Sequence, residues 1–236
     1  MKRLAFLALC LGFAALFASL GVWQLERLQW KTALIDRIEA RLNAQPIAPP
    51  APRAWTADDA YTRVRVEGVF LHEDETLVQA VTELGPGWWV VTPLRTEHGV
   101  VLVNRGFVPL ERRLPATRPD GQIEGTVALI GLLRASEPHG AFLRANAPAQ
   151  NRWYSRDIAA IARARGVSRD AAPYFIDASA SPNPGGYPIG GLTVTSFRNP
   201  HLIYAVTWFV LCLFALAGAV RIGGVSFRRP RRNVGH

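Results

Sequence analysis

Two runs without a charged residue bracket this chain, and they constrain everything between them. Leu4 to Leu25 and Leu202 to Val220 contain no Asp, Glu, Lys or Arg. Each approaches the roughly 20 apolar residues needed to cross about 30 Å of hydrocarbon. The chain is therefore expected to cross a membrane twice. Lys2 and Arg3 ahead of the first run also suit a secretory signal, but a cleavable signal has a shorter apolar core and a small-x-small end. Here the run continues through Leu20-Gly21-Val22-Trp23, and Leu9 is too bulky before Cys10 for a lipoprotein signal. It reads as an uncleaved anchor.

Charge gives the expected orientation. Lys2 and Arg3 precede the first run, and Arg221, Arg228, Arg229, Arg231 and Arg232 follow the second. By the positive-inside rule both termini are cytoplasmic and residues 26–200 lie outside. These seven cations have no acidic residue beside them, which leaves 20 Lys and Arg against all 18 Asp and Glu in the interior. The net +9 is thus mainly a topology signal and not the footprint of a nucleic-acid binder.

Both cysteines, Cys10 and Cys212, fall inside the apolar runs, so the exported part can hold no disulfide framework or thiol redox pair. Methionine occurs only as Met1, which argues against copper handling by soft sulfur ligands.

Five stretches follow. Residues 4–25 form the first membrane helix. In residues 26–54 helical periodicity persists through Leu34, Ile35, Ile38 and Leu42, and the stretch from Gln45 to Pro52 then reads as an extended, stiff linker. Residues 55–198 switch to alternation: Tyr61 to Phe70, Glu75 to Val81, Gly87 to Leu94, Val100 to Val108, Gly125 to Leu133 and Tyr174 to Asp177 are strand candidates separated by Gly, Pro and Asp turns. A mainly antiparallel β domain, barrel- or sandwich-like, is expected. One helix, Ile158 to Arg165, interrupts it, capped by Ser155 or Asp157 and ended by Gly166. Residues 201–220 form the second membrane helix, and 221–236 a basic cytoplasmic tail.

Enzymatic signatures are missing: there is no GxSxG elbow, HExxH pair or Lys-terminated phosphate loop. Asn183 to Gly191 is glycine-rich and reads as a loop laid against a surface. His72, His98 and His139 read as solvated turn residues, and the acidic Asp58-Asp59 and Glu73-Asp74-Glu75 suit a hard cation or, equally, exposed loop charge. Asn104-Arg105-Gly106 inside an apolar strand asks for a buried or interfacial partner, or else marks a structural bulge with Arg105 paired to a carboxylate.

At 100° per residue His201, Tyr204, Ala205, Trp208, Cys212, Ala215 and Ala219 share one stripe, and on the first helix Ala8, Gly12, Ala15, Ser19 and Trp23 share another. Small residues on facing stripes would let the helices pack closely. At their outer ends Trp23, His201, Tyr204 and Trp208 could wall a flat apolar cofactor with an imidazole-ligated metal. The same residues also suit an aromatic belt with no ligand. One imidazole with aromatic walls fits non-covalent haem better than zinc, which takes three or four protein ligands, and covalent haem is excluded because no Cys-x-x-Cys-His occurs.

Several motifs, taken together in order, resemble the SURF1 (Shy1) family of cytochrome c oxidase assembly factors: Gly21 to Arg27 through Trp30-Lys31, Tyr61 to Phe70, Thr92-Pro93-Leu94, Val103 to Pro109, Asn183 to Gly186, and Asn199 to Phe209. Phe107 stands where that family usually has tryptophan. The resemblance implies a non-enzymatic protein of a bacterial plasma membrane, where the direct start at an anchor would also place it. Such a protein binds haem a, takes it from haem A synthase and presents it to subunit I of an aa3-type oxidase. It also implies His201 as axial ligand, Tyr204 and Trp208 as lining, and Trp23 as a neighbour. The competing reading is a structural scaffold that holds apo-subunit I without haem.

Overall fold

A computed structural model describes residues 1–138, 140–141, 144–193 and 197–227. His139 and the basic residues Arg228, Arg229, Arg231 and Arg232 lie outside the described residues. The chain divides into two units, Met1–Arg37 with Ser196–His236, and Ile38–Thr195.

The first unit is built from α1 (Lys2–Asn43), whose last turns enter the second unit, and α3 (His201–Phe227). At 1.5 Å per residue, the 42 residues of α1 run about 60 Å, roughly twice a hydrocarbon core, so the helix continues past its apolar part as its periodicity predicts. Both helices are long and apolar enough to cross a membrane. Their large side chains point outward: Phe6, Leu9, Phe13 and Leu16 on α1, and Leu202, Ile203, Leu213 and Phe214 on α3, are all exposed. A core helix of a soluble protein would bury such residues, whereas a lipid-facing one must expose them.

The packed stripe of α1 differs from the expected one. Ala8, Gly12, Ala15, Ser19 and Trp23 are exposed, and a Cβ on Gly12 would meet nothing within 4 Å. The contact face instead runs through Cys10, Ala14, Phe17, Gly21 and Gln24. The partner face on α3 is close to expectation, with Ala205 and Ala219 buried and Trp208, Cys212 and Ala215 half-buried, but Tyr204 is exposed. Both runs are apolar on every side, so small residues alone could not fix which face packs. The face that wins combines small with large: Phe209 lies where a Cβ on Gly21 would be 2.8 Å from its ring, and Phe17 stacks on Trp208 at 5.7 Å.

The second unit is a closed sheet. Its strands are β1 (Arg63–Phe70), β2 (Thr76–Thr82), β3 (Gly85–Thr96), β4 (Gly99–Pro109), β5 (Thr126–Ala135) and β6 (Ala171–Ala178). They are ordered β1-β5-β6-β4-β3-β2, and β1 also pairs with β3. Because β3 is 12 residues long, its first part pairs with β2 and its far end reaches β1, through Val69↔Arg95 and Phe70↔Leu94. Five strands thereby close into a barrel and β2 is left as a flap. All pairings in the sheet are antiparallel except β4 with β6. β1 starts at Arg63 and not at Tyr61, because Tyr61 has φ 65° and turns the chain into the strand.

Two apolar clusters explain the burial patterns. Val64, Val66, Phe70, Leu94, Val101, Val103, Tyr174 and Ile176 belong to one. Val78, Val91, Leu102, Trp153 and Phe175 pack in the other with Ile158 and Ile161 of α2 (Ile158–Ala164). Alternate β4 residues join different clusters, so β4 is buried on both faces and its period-two signal is lost. Asp157 caps α2, accepting a hydrogen bond from the Ala160 amide. The proline-rich stretch before β1 is pinned onto the barrel: Ile47 bridges to Val64, and the Tyr174 hydroxyl donates to the Pro50 carbonyl at 2.6 Å.

Candidate functional site

The site begins at the start of α3. Pro200 has no amide proton and cannot extend a helix backwards, but its carbonyl accepts from the Tyr204 amide at 3.3 Å, so His201 becomes the first helical residue. Its ring, half-buried, turns to α1, where Nδ1 lies 2.7 Å from Oε1 of Gln24. About two turns further along α1, the Asn199 side-chain amide donates to the Thr32 hydroxyl at 3.2 Å. One turn to two turns inward, Trp208 stacks on Phe17, which stacks in turn on Phe13 at 5.7 Å.

Of the four residues named from the sequence, His201 and Trp208 lie on the contact stripe of α3. Tyr204 and Trp23 each expose 53% of their surface and lie off the packed faces. Sequence reasoning missed the role of Gln24. It is a polar side chain near the end of the apolar run, one residue after Trp23, but nothing local ties it to His201, 177 residues away.

Chemically, the His201 ring has one nitrogen occupied and Nε2 left to act. Among the described residues no cluster of three or more His, Cys, Asp or Glu could hold a metal ion by itself. A lone imidazole therefore fits a metal that brings its other donors with it, as a tetrapyrrole does, and does not fit zinc.

The barrel holds two polar clusters that compete for attention. In the first, Asp177, 2% exposed, accepts hydrogen bonds from Asn104 (2.7 Å), Arg134 (2.9 Å), Arg156 (3.1 Å) and Thr193 (3.0 Å). Arg156 also pairs with Glu137 at 2.6 Å. Burial pushes the Glu137 carboxyl up, but the hydrogen bonds and charge of Arg156, with Arg134, hold it below its ordinary value. Asp177 and its four partners line a cavity of about 270 Å³, and both carboxylates of the cluster, Asp177 and Glu137, are matched to arginines.

The second cluster corrects the expectation for Arg105. Glu75 is taken by Arg118 in a buried pair, so Arg105 meets no carboxylate; it donates to the Gly121 carbonyl, lies 3.5 Å from His72 Nδ1 and sits 4.6 Å above the Phe70 ring. Burial, with Arg118 adding to it and Glu75 opposing, pushes Arg105 down to about 10. His72 is likewise not a solvated turn residue: its Nε2 contacts the Ile123 carbonyl at 2.9 Å. His98 is exposed, as expected. Next to this cluster opens a cavity of about 690 Å³ between β2, Trp88 and Trp153. Its buried acid, Glu75, is held by Arg118, and His72 is engaged at both nitrogens.

The bulge itself is confirmed. Val90 faces Gly106 and Val91 faces Asn104, so Arg105 is the extra residue. The glycine-rich stretch is a loop laid on a surface, as expected: Ile189 and Phe107 exchange backbone hydrogen bonds at 2.8 and 2.9 Å.

Two membrane-capable helices at the ends of the chain and a closed β-barrel domain in between define a membrane-anchored barrel protein. Residues 11–213 match the model of the SURF1 family. Human Surfeit locus protein 1 is 41% identical over 210 residues, covering 81% of this chain and 69% of the human one. A SURF1-like protein of Monosiga brevicollis is 42% identical over 212 residues, 84% of this chain and 80% of its own. One of Caenorhabditis briggsae is 33% identical over 232 residues, 88% and 72%. The chain belongs to the SURF1 family, and membership implies a role in cytochrome c oxidase assembly. These relatives are eukaryotic, so the likeness is to the eukaryotic type and not to the bacterial one that the sequence reading expected.

Proposed function

We propose that the protein is a non-enzymatic carrier of haem a in oxidase assembly, receiving it from haem A synthase and presenting it to subunit I. The supporting observation is the state of His201: a single imidazole at the end of a membrane helix, one nitrogen engaged and the other available. Haem would bring most of the donors for its iron with it and leave the remaining positions to the protein. His201 Nε2 would take one of these. Trp208 would offer an aromatic face about two turns along the same stripe, with Tyr204 and Trp23, both half-exposed, able to cover the ring from the lipid side.

We place the protein in a respiratory membrane, in contact with lipid. The bacterial plasma membrane is the sequence expectation. Both termini lie on the positively charged, cytoplasmic side and the barrel is outside. The charge division between tails and interior supports this orientation.

The test is His201→Ala, purified in detergent from cells that make haem a. Haem content should fall at least tenfold, with the barrel's thermal unfolding unchanged. Equal haem content and an equal visible spectrum would remove His201 as ligand. Absence of haem from the unmodified protein, with apo-subunit I co-purifying, would establish the scaffold reading instead.

A further inference from the structure

We propose that Gln24 is a positioning residue for His201: its side-chain carbonyl takes the Nδ1 proton and so keeps the lone pair on Nε2, where a metal would receive it. The proposal rests on the reading of His201 as a haem ligand. The distance from Nδ1 to Oε1 is 2.7 Å, that of a good hydrogen bond. With the Gln24 amide turned this way, its carbonyl oxygen has no proton to give, so the shared proton belongs to Nδ1. A neutral imidazole has only one such proton, and Nε2 is then bare. Unconstrained histidine prefers the opposite tautomer, with its proton on Nε2, which would turn an N–H toward the metal. Gln24 reverses that preference.

Two structural features make this contact necessary. His201 is the first residue of α3, so no preceding helical turn holds its ring. The acceptor comes from the other helix, fixed by the Gly21 contact with Phe209 one turn away. The helix pair itself therefore sets the ring's orientation and protonation. The acceptor's identity matters too. A carboxylate on Nδ1–H makes an imidazole a stronger donor, and loss of such a partner costs about 10–100-fold in metal affinity. A neutral amide stands between these limits. It secures the tautomer without the full strengthening, which suits cargo that must be handed on.

The experiment has two arms. In the first, the haem-free protein is prepared with ¹⁵N-labelled histidine in detergent, and the His201 ring shifts are assigned with H201A. The unmodified protein should show Nδ1–H with Nε2 unprotonated, and Gln24→Met should move the proton mainly to Nε2. In the second arm, haem a affinity and midpoint potential are measured for the unmodified protein and both variants at one pH. Q24M should bind more weakly, by about tenfold, the low end for loss of an outer-shell partner, with a raised midpoint. Gln24→Glu should bind more tightly with a lowered midpoint. A contact that only ties the helices together would not move the potential in opposite directions. An Nε2–H tautomer in the unmodified protein, or equal affinity and potential in all three proteins, would overturn the role of Gln24 while leaving haem binding intact. Absence of haem would overturn the proposed function, and the tautomer arm would still decide the role of Gln24.

Discussion

At the scale of single residues, long-range pairing decides what each polar group does, and that is the hardest thing to read from a sequence. Asn104 and Arg105 stood out as polar residues in an apolar strand. Their partners did not, because Asp177 lies 73 residues from Asn104 and the acid nearest Arg105 is used by Arg118. His201 was legible because a histidine at the mouth of an uncharged run is conspicuous. Its partner Gln24 is 177 residues away and was not. Asp177 carries the sharpest stability prediction. It satisfies two arginines that are mostly buried, and removing one partner of such a pair costs about 3–5 kcal/mol. Asp177→Ala should therefore lower barrel stability by that order, read as a shifted midpoint in chemical denaturation followed by tryptophan fluorescence. A change under about 1 kcal/mol, typical of an exposed pair, would mean the network is wet and not a structural centre.

At the scale of elements, the sequence performed best where one face of a strand is solvated. β1 alternates buried and exposed along its length, and its existence was evident. β4 is buried on both sides and its alternation vanishes, yet its apolar run and flanking turns still located it. The bulge was also legible, because glycine beside two polar residues has few other uses in a strand. The α1 contact face was not, since a helix apolar all round carries no periodic signal. Gly106 has φ 129°, and a Cβ there would stand 2.1 Å from the Ile189 carbonyl oxygen. Gly106→Ala should thus cost about 1–3 kcal/mol and detach the glycine-rich loop, measured as faster amide exchange at Ile189. Gly12→Ala, where a Cβ meets nothing, is the control and should leave stability unchanged. Equal effects of the two substitutions would contradict the bulge geometry.

At the scale of the molecule, the division of charge and apolar length was fully written in the sequence: two spans, an interior nearly balanced in charge, and basic tails. Barrel closure was only partly legible. Six strands with regular turns suggested an antiparallel barrel or sandwich, but the parallel β4–β6 pairing and the reach of β3 to β1 depend on register that no local pattern encodes. The proposed role belongs to this scale, since a carrier needs a membrane-level ligand and an anchored domain in one chain. Its most direct test is the visible spectrum of the protein purified from cells with and without haem A synthase. A haem a spectrum should appear only with the synthase and disappear in His201→Ala. An unmodified protein that is colourless in both backgrounds would contradict the carrier role.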